Sequence, residues 1–236
     1  MWIKICGNTT LDDAQLAASH GADAVGFVFA PSPRRVTAEA VSRITPRLPE
    51  TLEKYGVFVD ADFEEIVSTV EQCGLTGVQL HSASNLAARL REHSASRLKI
   101  VQVLHYEPLP NGEPMQSGRL EAQLASLLQN DAVDAVLVDS RTADAVGGTG
   151  VSFDWQEARG SFSRAGKHLR LIAAGGLRPE NVAEAISTLQ PWGVDVASGV
   201  EASPGRKDPD RLREFLATAR RAAEELKSAA AGKVSG

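Results

Sequence analysis

Cysteine is scarce in this chain, which holds Cys6 and Cys73 among 236 residues. Two thiols so far apart make neither a disulfide scaffold nor a metal-ligand cluster, and both are expected to be reduced. Clustered Lys and Arg are also missing, and the net charge is −5. Nucleic acids and anionic membranes are gripped by clustered cations, so neither is an expected partner and a small molecule is. No apolar run approaches the ~20 residues that cross a bilayer, and the N-terminus lacks a basic segment followed by an apolar one. A cytoplasmic location is expected. The five histidines include no H-x-x-x-H pair, and His20, His93 and His168 have no carboxylate cluster around them, so no metal is expected. What remains is the composition of an ordinary globular protein, 43% hydrophobic and 23% charged, with ample material for a core. Nothing marks an obligate apolar interface, and a monomer is expected.

Apolar runs of four to seven residues alternate with longer segments whose apolar residues recur at helical spacing. The strands read "WIKIC", "AVGFVF", "KYGVFVD", "TGVQLH", "LKIVQVLHY", "DAVLVDS", "LRLIAAGG" and "GVDVASG". Between them lie helices such as "TLDDAQLAASHG", with Thr10 as its cap, acidic residues in its first turn and Gly21 at its end. "TAEAVSRITPRL" reads as one helix, and the last runs from about Pro209 to Lys227. Strict alternation with strands apolar on both faces implies a parallel sheet covered by helices. Eight such units fit a single α/β domain over residues 1–227, a closed (β/α)8 TIM barrel, with 228–236 as a frayed tail. An open nucleotide-binding sheet is the rival, but "CGNTTLDD" after the first strand lacks G-x-G-x-x-G.

A barrel of this kind reacts at the carboxyl ends of its strands. Those ends carry Cys6, the "APSPRRV" loop, Asp60, His81, His105 or Tyr106, Asp139, "AAGG" and Asp195. Glycines recur in the last three loops: Gly147, Gly148 and Gly150, then Gly175 and Gly176, then Gly199 beside Ser198. Each cluster alone is as readily a tight βα turn. Three on adjacent strands point to backbone N–H groups closing on a phosphate. A lone cysteine at a strand end is more often packing than chemistry, and Cys73 reads that way. Cys6 differs because its strand end faces the site and Gly7 clears space beside the sulfur. With its pKa lowered by nearby charge, the thiol is a nucleophile or a general base. Asp139, on the opposite wall, is either a turn cap or an acid that holds its proton. Asp195 reads as a buried partner for backbone groups or as a site residue. Arg34 and Arg35 read as solvated side chains or as a bidentate clamp for a carboxylate.

"KICGNTT", "GFVFAPSPRRVT", "GVFVD", "VQLH", "LVDS", "GGTGVSFDW", "AAGGLRPENV" and "GVDVASGVEASPGRKD" resemble, in order, the motifs of the phosphoribosylanthranilate isomerase family of tryptophan biosynthesis. The resemblance spans roughly residues 1 to 220. It implies a cofactor-free Amadori rearrangement of N-(5-phosphoribosyl)anthranilate to 1-(2-carboxyphenylamino)-1-deoxyribulose 5-phosphate. By the same resemblance Asp139 is the acid that opens the ribose ring and Cys6 the base that takes the proton from carbon 2. Arg35 is the holder of the anthranilate carboxylate, Asp195 the contact of the anthranilate amine, and the glycine loops with Ser198 the phosphate site. Two positions depart from the family pattern: Val151 replaces a lysine near the phosphate loop, and Ser82 stands where glycine often follows "QLH". A weaker grip on phosphate is expected from both. A sister isomerase of the histidine pathway usually works with two aspartates, and "KICG" speaks against it. A silent phospho-ligand binding protein would not need Cys6 and Asp139 together.

Overall fold

The computed structural model describes residues 1–82, 85–94, 97–105, 117–128, 130–139 and 155–234. The strands are β1 (Trp2–Ile5), β2 (Ala24–Val28), β3 (Glu53–Phe58), β4 (Gly77–Leu80), β5 (Lys99–His105), β6 (Ala135–Asp139), β7 (Leu171–Ala174) and β8 (Gly193–Val196). They pair in parallel in chain order, and β8 returns to β1 to close the barrel. The closing register sets Trp2 against Gly193 and Lys4 against Asp195. Helices α1 (Leu11–Ser19), α2 (Ala38–Ile44), α3 (Phe63–Cys73), α4 (Leu86–Ser94), α5 (Ser117–Leu127), α6 (Trp155–Ala165), α7 (Val182–Leu189) and α8 (Pro209–Val234) follow the strands. This is the (β/α)8 barrel that the alternation implies.

Local chemistry sets the helix ends. Thr10 accepts the Asp13 N–H at 3.2 Å to start α1, and Asp62 accepts the Glu65 N–H at 2.8 Å to start α3. Gly74 ends α3 in the left-handed region at φ 57°, where a side chain would be strained. The helix expected across "TAEAVSRITPRL" stops earlier. Pro46 cannot supply an α-helical N–H, and Thr45–Arg47 tightens into a 3-10 turn. At the other end α8 continues past Lys227 to Val234, because the alanine-rich run that follows has high helix propensity.

Alternation along the strands separates two cores. Ile3 and Ile5 face outward into the layer shared with Ala14, Ala17 and Phe215. Phe215 is completely buried, and such burial contributes about 1.5–3 kcal/mol. Trp2, Tyr55, Val103, Leu137 and Ile172 fill the barrel interior. At its amino-terminal end the rings of Trp2 and Tyr55 meet edge to face, 5.8 Å apart. Glycines opposite make room for them. A Cβ on Gly193 would lie 2.9 Å from Trp2, and one on Gly77 would lie 2.3 Å from the Tyr55 ring. The rings fill that end, and the end left to hold a ligand among the described residues is the carboxyl end of the strands. Among the described residues no helix is long and apolar enough to cross a membrane.

The hairpin of β9 (Glu201–Ser203) and β10 (Arg206–Lys207), which follows a 3-10 turn at Ser198–Val200, has no counterpart in the sequence reading. Its strands are too short to show a period. Gly205 turns it at φ 81°, and Thr9 Oγ1 donates to the Gly205 carbonyl at 2.6 Å. The loop after β8 is thereby fastened to the loop after β1.

Candidate active site

A cavity of about 180 Å³ opens at the carboxyl ends of the strands, and its described walls include Cys6, Asp139, Asp195, Gly175, Gly176 and Ser198. With Arg34 and His81, also on its walls, eight of the residues singled out in the sequence therefore share one space.

Cys6 extends β1 by one residue, its N–H donating to the Val196 carbonyl at 2.8 Å. The chain then turns sharply through Gly7 at φ 73°. The expected role of Gly7 needs correcting. A Cβ there would collide with Arg34 Cδ at 2.6 Å, whereas a Cβ on Gly26 would stand 2.8 Å from Cys6 Sγ. Gly26, on the neighbouring strand, gives the sulfur its space, and Gly7 lets Arg34 pass.

Lys4 lies on the same inward face two residues earlier and is 1% exposed. Its ammonium donates to Gln79 Oε1 at 2.8 Å and to Asp195 Oδ2 at 3.0 Å. The Cys6 sulfur lies close by, across the same space over Gly26. Burial alone would lower the Lys4 pKa, but Asp195 and the Cys6 sulfur together hold it above the ordinary lysine value. Burial pushes the Cys6 thiol above its ordinary value, with Asp195 adding to the push and Lys4 and Lys207 opposing it. The lowered thiol pKa expected from the sequence is thus reversed, because loss of hydration outweighs the two ammonium groups. Asp195 is also buried, and its Oδ1 has no hydrogen-bond partner among the described residues. A buried carboxylate oxygen is costly to leave unpaired. On the cavity wall it is ready to accept an N–H from a ligand.

From Gln79 the polar chain climbs to the rim. Gln79 Nε2 lies 3.2 Å from His81 Nε2, and His81 Nδ1 lies 3.2 Å from His105 Nε2. Asp139 ends β6 at 3% exposure, in register with His105 on one side and Ala174 on the other. Gly175 and Gly176 hold φ of 88° and 63°, conformations natural to glycine. Gly199 is set back from the cavity walls. A Cβ on it would fall 1.8 Å from the Leu177 carbonyl oxygen, so it serves the close packing of the loops after β7 and β8. Gly147, Gly148, Gly150, Val151 and Tyr106 lie outside the described residues. Ser82 accepts Gln102 Nε2 at 3.3 Å through its carbonyl.

The two adjacent arginines part company. Arg34 lines the cavity but gives its guanidinium to Glu201, with Nε to Oε1 at 2.8 Å and a terminal nitrogen to Oε2 at 2.6 Å. Arg35 is exposed, and its backbone bridges Val28 on the cavity wall. Lys207, with a fully buried side chain, ties the same region together. It donates to Glu201 Oε1 at 3.1 Å and to the Cys6 carbonyl at 2.6 Å. Burial lowers the Lys207 pKa despite Glu201. For Glu201 burial acts upward, and the hydrogen bonds and charges of Arg34 and Lys207 override it to hold the carboxyl below the usual range. The sequence reading passed over Lys4, Lys207 and Glu201. One signal was available for Lys4: a charge inside a strand buried on both faces must be paired.

The comparisons with known proteins agree with this architecture. A family model described as N-(5'-phosphoribosyl)anthranilate (PRA) isomerase matches residues 3–218. The N-(5'-phosphoribosyl)anthranilate isomerase of Pelobacter propionicus is 40% identical over 226 residues, covering 94% of this chain and 97% of that one. A crystal structure of monomers of the dimeric isomerase from Thermotoga maritima matches with a TM-score of 0.74 and 32% identity, covering 94% of this chain and 99% of that one. A second, of an isomerase in complex with reduced 1-(o-carboxyphenylamino)-1-deoxyribulose 5-phosphate, matches with a TM-score of 0.75 and 33% identity over the same shares.

Proposed function

The chain belongs to the N-(5'-phosphoribosyl)anthranilate isomerase family, and from that premise we propose that Cys6 is the general base and Asp139 the general acid of its Amadori rearrangement. The chain is an isomerase of tryptophan biosynthesis, converting N-(5-phosphoribosyl)anthranilate to 1-(2-carboxyphenylamino)-1-deoxyribulose 5-phosphate. One observation carries the assignment of roles. A thiol and a carboxyl end strands on different sides of one cavity that also holds a buried, half-unpaired aspartate.

Asp139 gives its proton to the ribose ring oxygen as the bond from that oxygen to carbon 1 breaks, and the anthranilate nitrogen lone pair forms the carbon–nitrogen double bond. The Cys6 thiolate then removes the proton on carbon 2, and the electron pair moves to yield the enolamine. Tautomerisation transfers the enol proton's equivalent to carbon 1 and leaves the ketone at carbon 2, so the reaction is a net isomerisation that needs no cofactor. Asp195 Oδ1 accepts from the anthranilate N–H. The N–H groups around Gly175, Gly176 and Ser198 hold the phosphate, joined in this proposal by Gly147, Gly148 and Gly150, while Gly199 keeps those loops in contact. Arg35 takes the anthranilate carboxylate, since the Arg34 guanidinium is already occupied by Glu201.

The test is turnover of freshly generated substrate, followed through loss of its anthranilate-type fluorescence. Asp139→Ala is expected to lower kcat by about 10²–10⁴-fold with KM little changed, the usual contribution of a general acid. A variant with undiminished kcat would remove Asp139 from the chemistry.

A further inference from the structure

Lys4 lies beneath the reactive thiol and has no part in the mechanism above. It is a puzzling residue for a barrel floor. A buried ion pair stabilises little compared with apolar side chains of the same volume, so its pairing with Asp195 does not by itself explain a lysine there. The geometry suggests another use. An ammonium has three donors. Two are committed, to Gln79 Oε1 at 2.8 Å and to Asp195 Oδ2 at 3.0 Å, which leaves the third for the neighbouring Cys6 sulfur. Both residues project from β1 into the space over Gly26. A Cβ at that glycine would be 2.8 Å from Cys6 Sγ, 2.9 Å from Lys4 Cε and 3.2 Å from Lys4 Nζ.

We propose that Lys4 is a positioning residue for Cys6, an ammonium fixed by Gln79 and Asp195 so that its remaining donor faces the sulfur and favours the thiolate against the effect of burial. The proposal rests on Cys6 being the base. A sulfur anion is the only form of Cys6 that gains fully from an N–H donor, so Lys4 favours the form that can remove a proton. Asp195 has two opposing effects: it anchors Lys4, and its own negative charge disfavours the thiolate. Lys207 helps from the loop side, and Asp139, His81 and Arg34 face the same cavity.

The experiment uses the full chain carrying Cys73→Ser, which leaves Cys6 as its one thiol. The rate of Cys6 alkylation by iodoacetamide is measured against pH, alongside the pH profile of kcat/KM. Lys4→Met is expected to raise the midpoint of both curves by about one pH unit or more, the usual effect of an adjacent opposite charge. Asp195→Asn is expected to lower the alkylation midpoint, so the proposal stands on opposite movements that a general loosening of the barrel would not produce. Should Lys4→Met fail to fold, Lys4→Gln, which drops the charge and keeps a polar partner for Gln79 and Asp195, is measured in its place, with the same upward movement expected. Unmoved midpoints, or midpoints displaced in the same direction, would overturn the role of Lys4. A Cys6→Ala enzyme with undiminished turnover would instead overturn the base assignment, whatever the alkylation curves show.

Discussion

Arg34 and Arg35 carry the same charge one residue apart, yet their environments set them to different tasks. Arg34 is bidentate to a Glu201 side chain only 4% exposed, while Arg35 has no ion pair among the described residues and stands exposed beside the cavity wall. Arg35→Ala is therefore expected to raise KM with kcat nearly unchanged, because a carboxylate clamp is engaged in the ground and transition states alike. Arg34→Ala is expected to lower the unfolding free energy instead. Steady-state kinetics and urea denaturation of the two variants check the split, and a KM effect confined to Arg34 would reverse the assignment. From the residues alone "RR" read as solvated side chains or as a clamp, and only the family resemblance singled out Arg35. Which arginine was free depended on Glu201, 167 residues from Arg34, and no local pattern conveys that distance.

At the scale of elements, the β9–β10 hairpin joins stability to the site. Glu201, Arg34 and Lys207 form its buried charged core, and Lys207 reaches the Cys6 carbonyl. Removing one partner from such a group strands the others, which costs about 3–5 kcal/mol. Glu201→Gln is expected to lose stability on that order at neutral pH in urea denaturation. The pH dependence follows from the depressed carboxyl. Its folded pKa lies below the ordinary value of 4.5, so near that pH the unfolded chain binds more protons and acid favours unfolding. The contribution is present above about pH 4.5 and is lost as pH falls through the depressed value. Glu201→Gln should flatten that acid limb, and an unchanged limb would show that other carboxyls govern it. The eight strands were legible because both faces are buried and their apolar runs are nearly continuous. The hairpin was not, since two or three residues cannot display a period, and what holds them is the buried charge network.

For the whole molecule, we expect a monomer. The large apolar side chains recorded as exposed among the described residues, Val59, Leu128 and Trp192, belong to different parts of the barrel. Trp192 is stacked on Trp2 and lies under the Arg170 guanidinium. No contiguous apolar face of the kind that obligate interfaces bury is formed by these three. Sedimentation equilibrium decides this, and a two-chain mass like that of the dimeric Thermotoga maritima relative would contradict it. The barrel and the address of the site were legible in the order of the chain, as strand alternation fixes which ends converge. The electrostatics were not. Whether Cys6 sits above or below the ordinary thiol value depends on how deeply it is buried and on Lys4, Asp195 and Lys207, which meet only in the closed barrel. The central claim is that the Cys6 sulfur takes the proton from carbon 2 of the ribose. It is tested most directly by comparing the kcat of Cys6→Ala with wild type on freshly generated phosphoribosylanthranilate, both folded by circular dichroism. A fall of about 10²–10⁴-fold with KM little changed is the expected result. A kcat near wild type would contradict it.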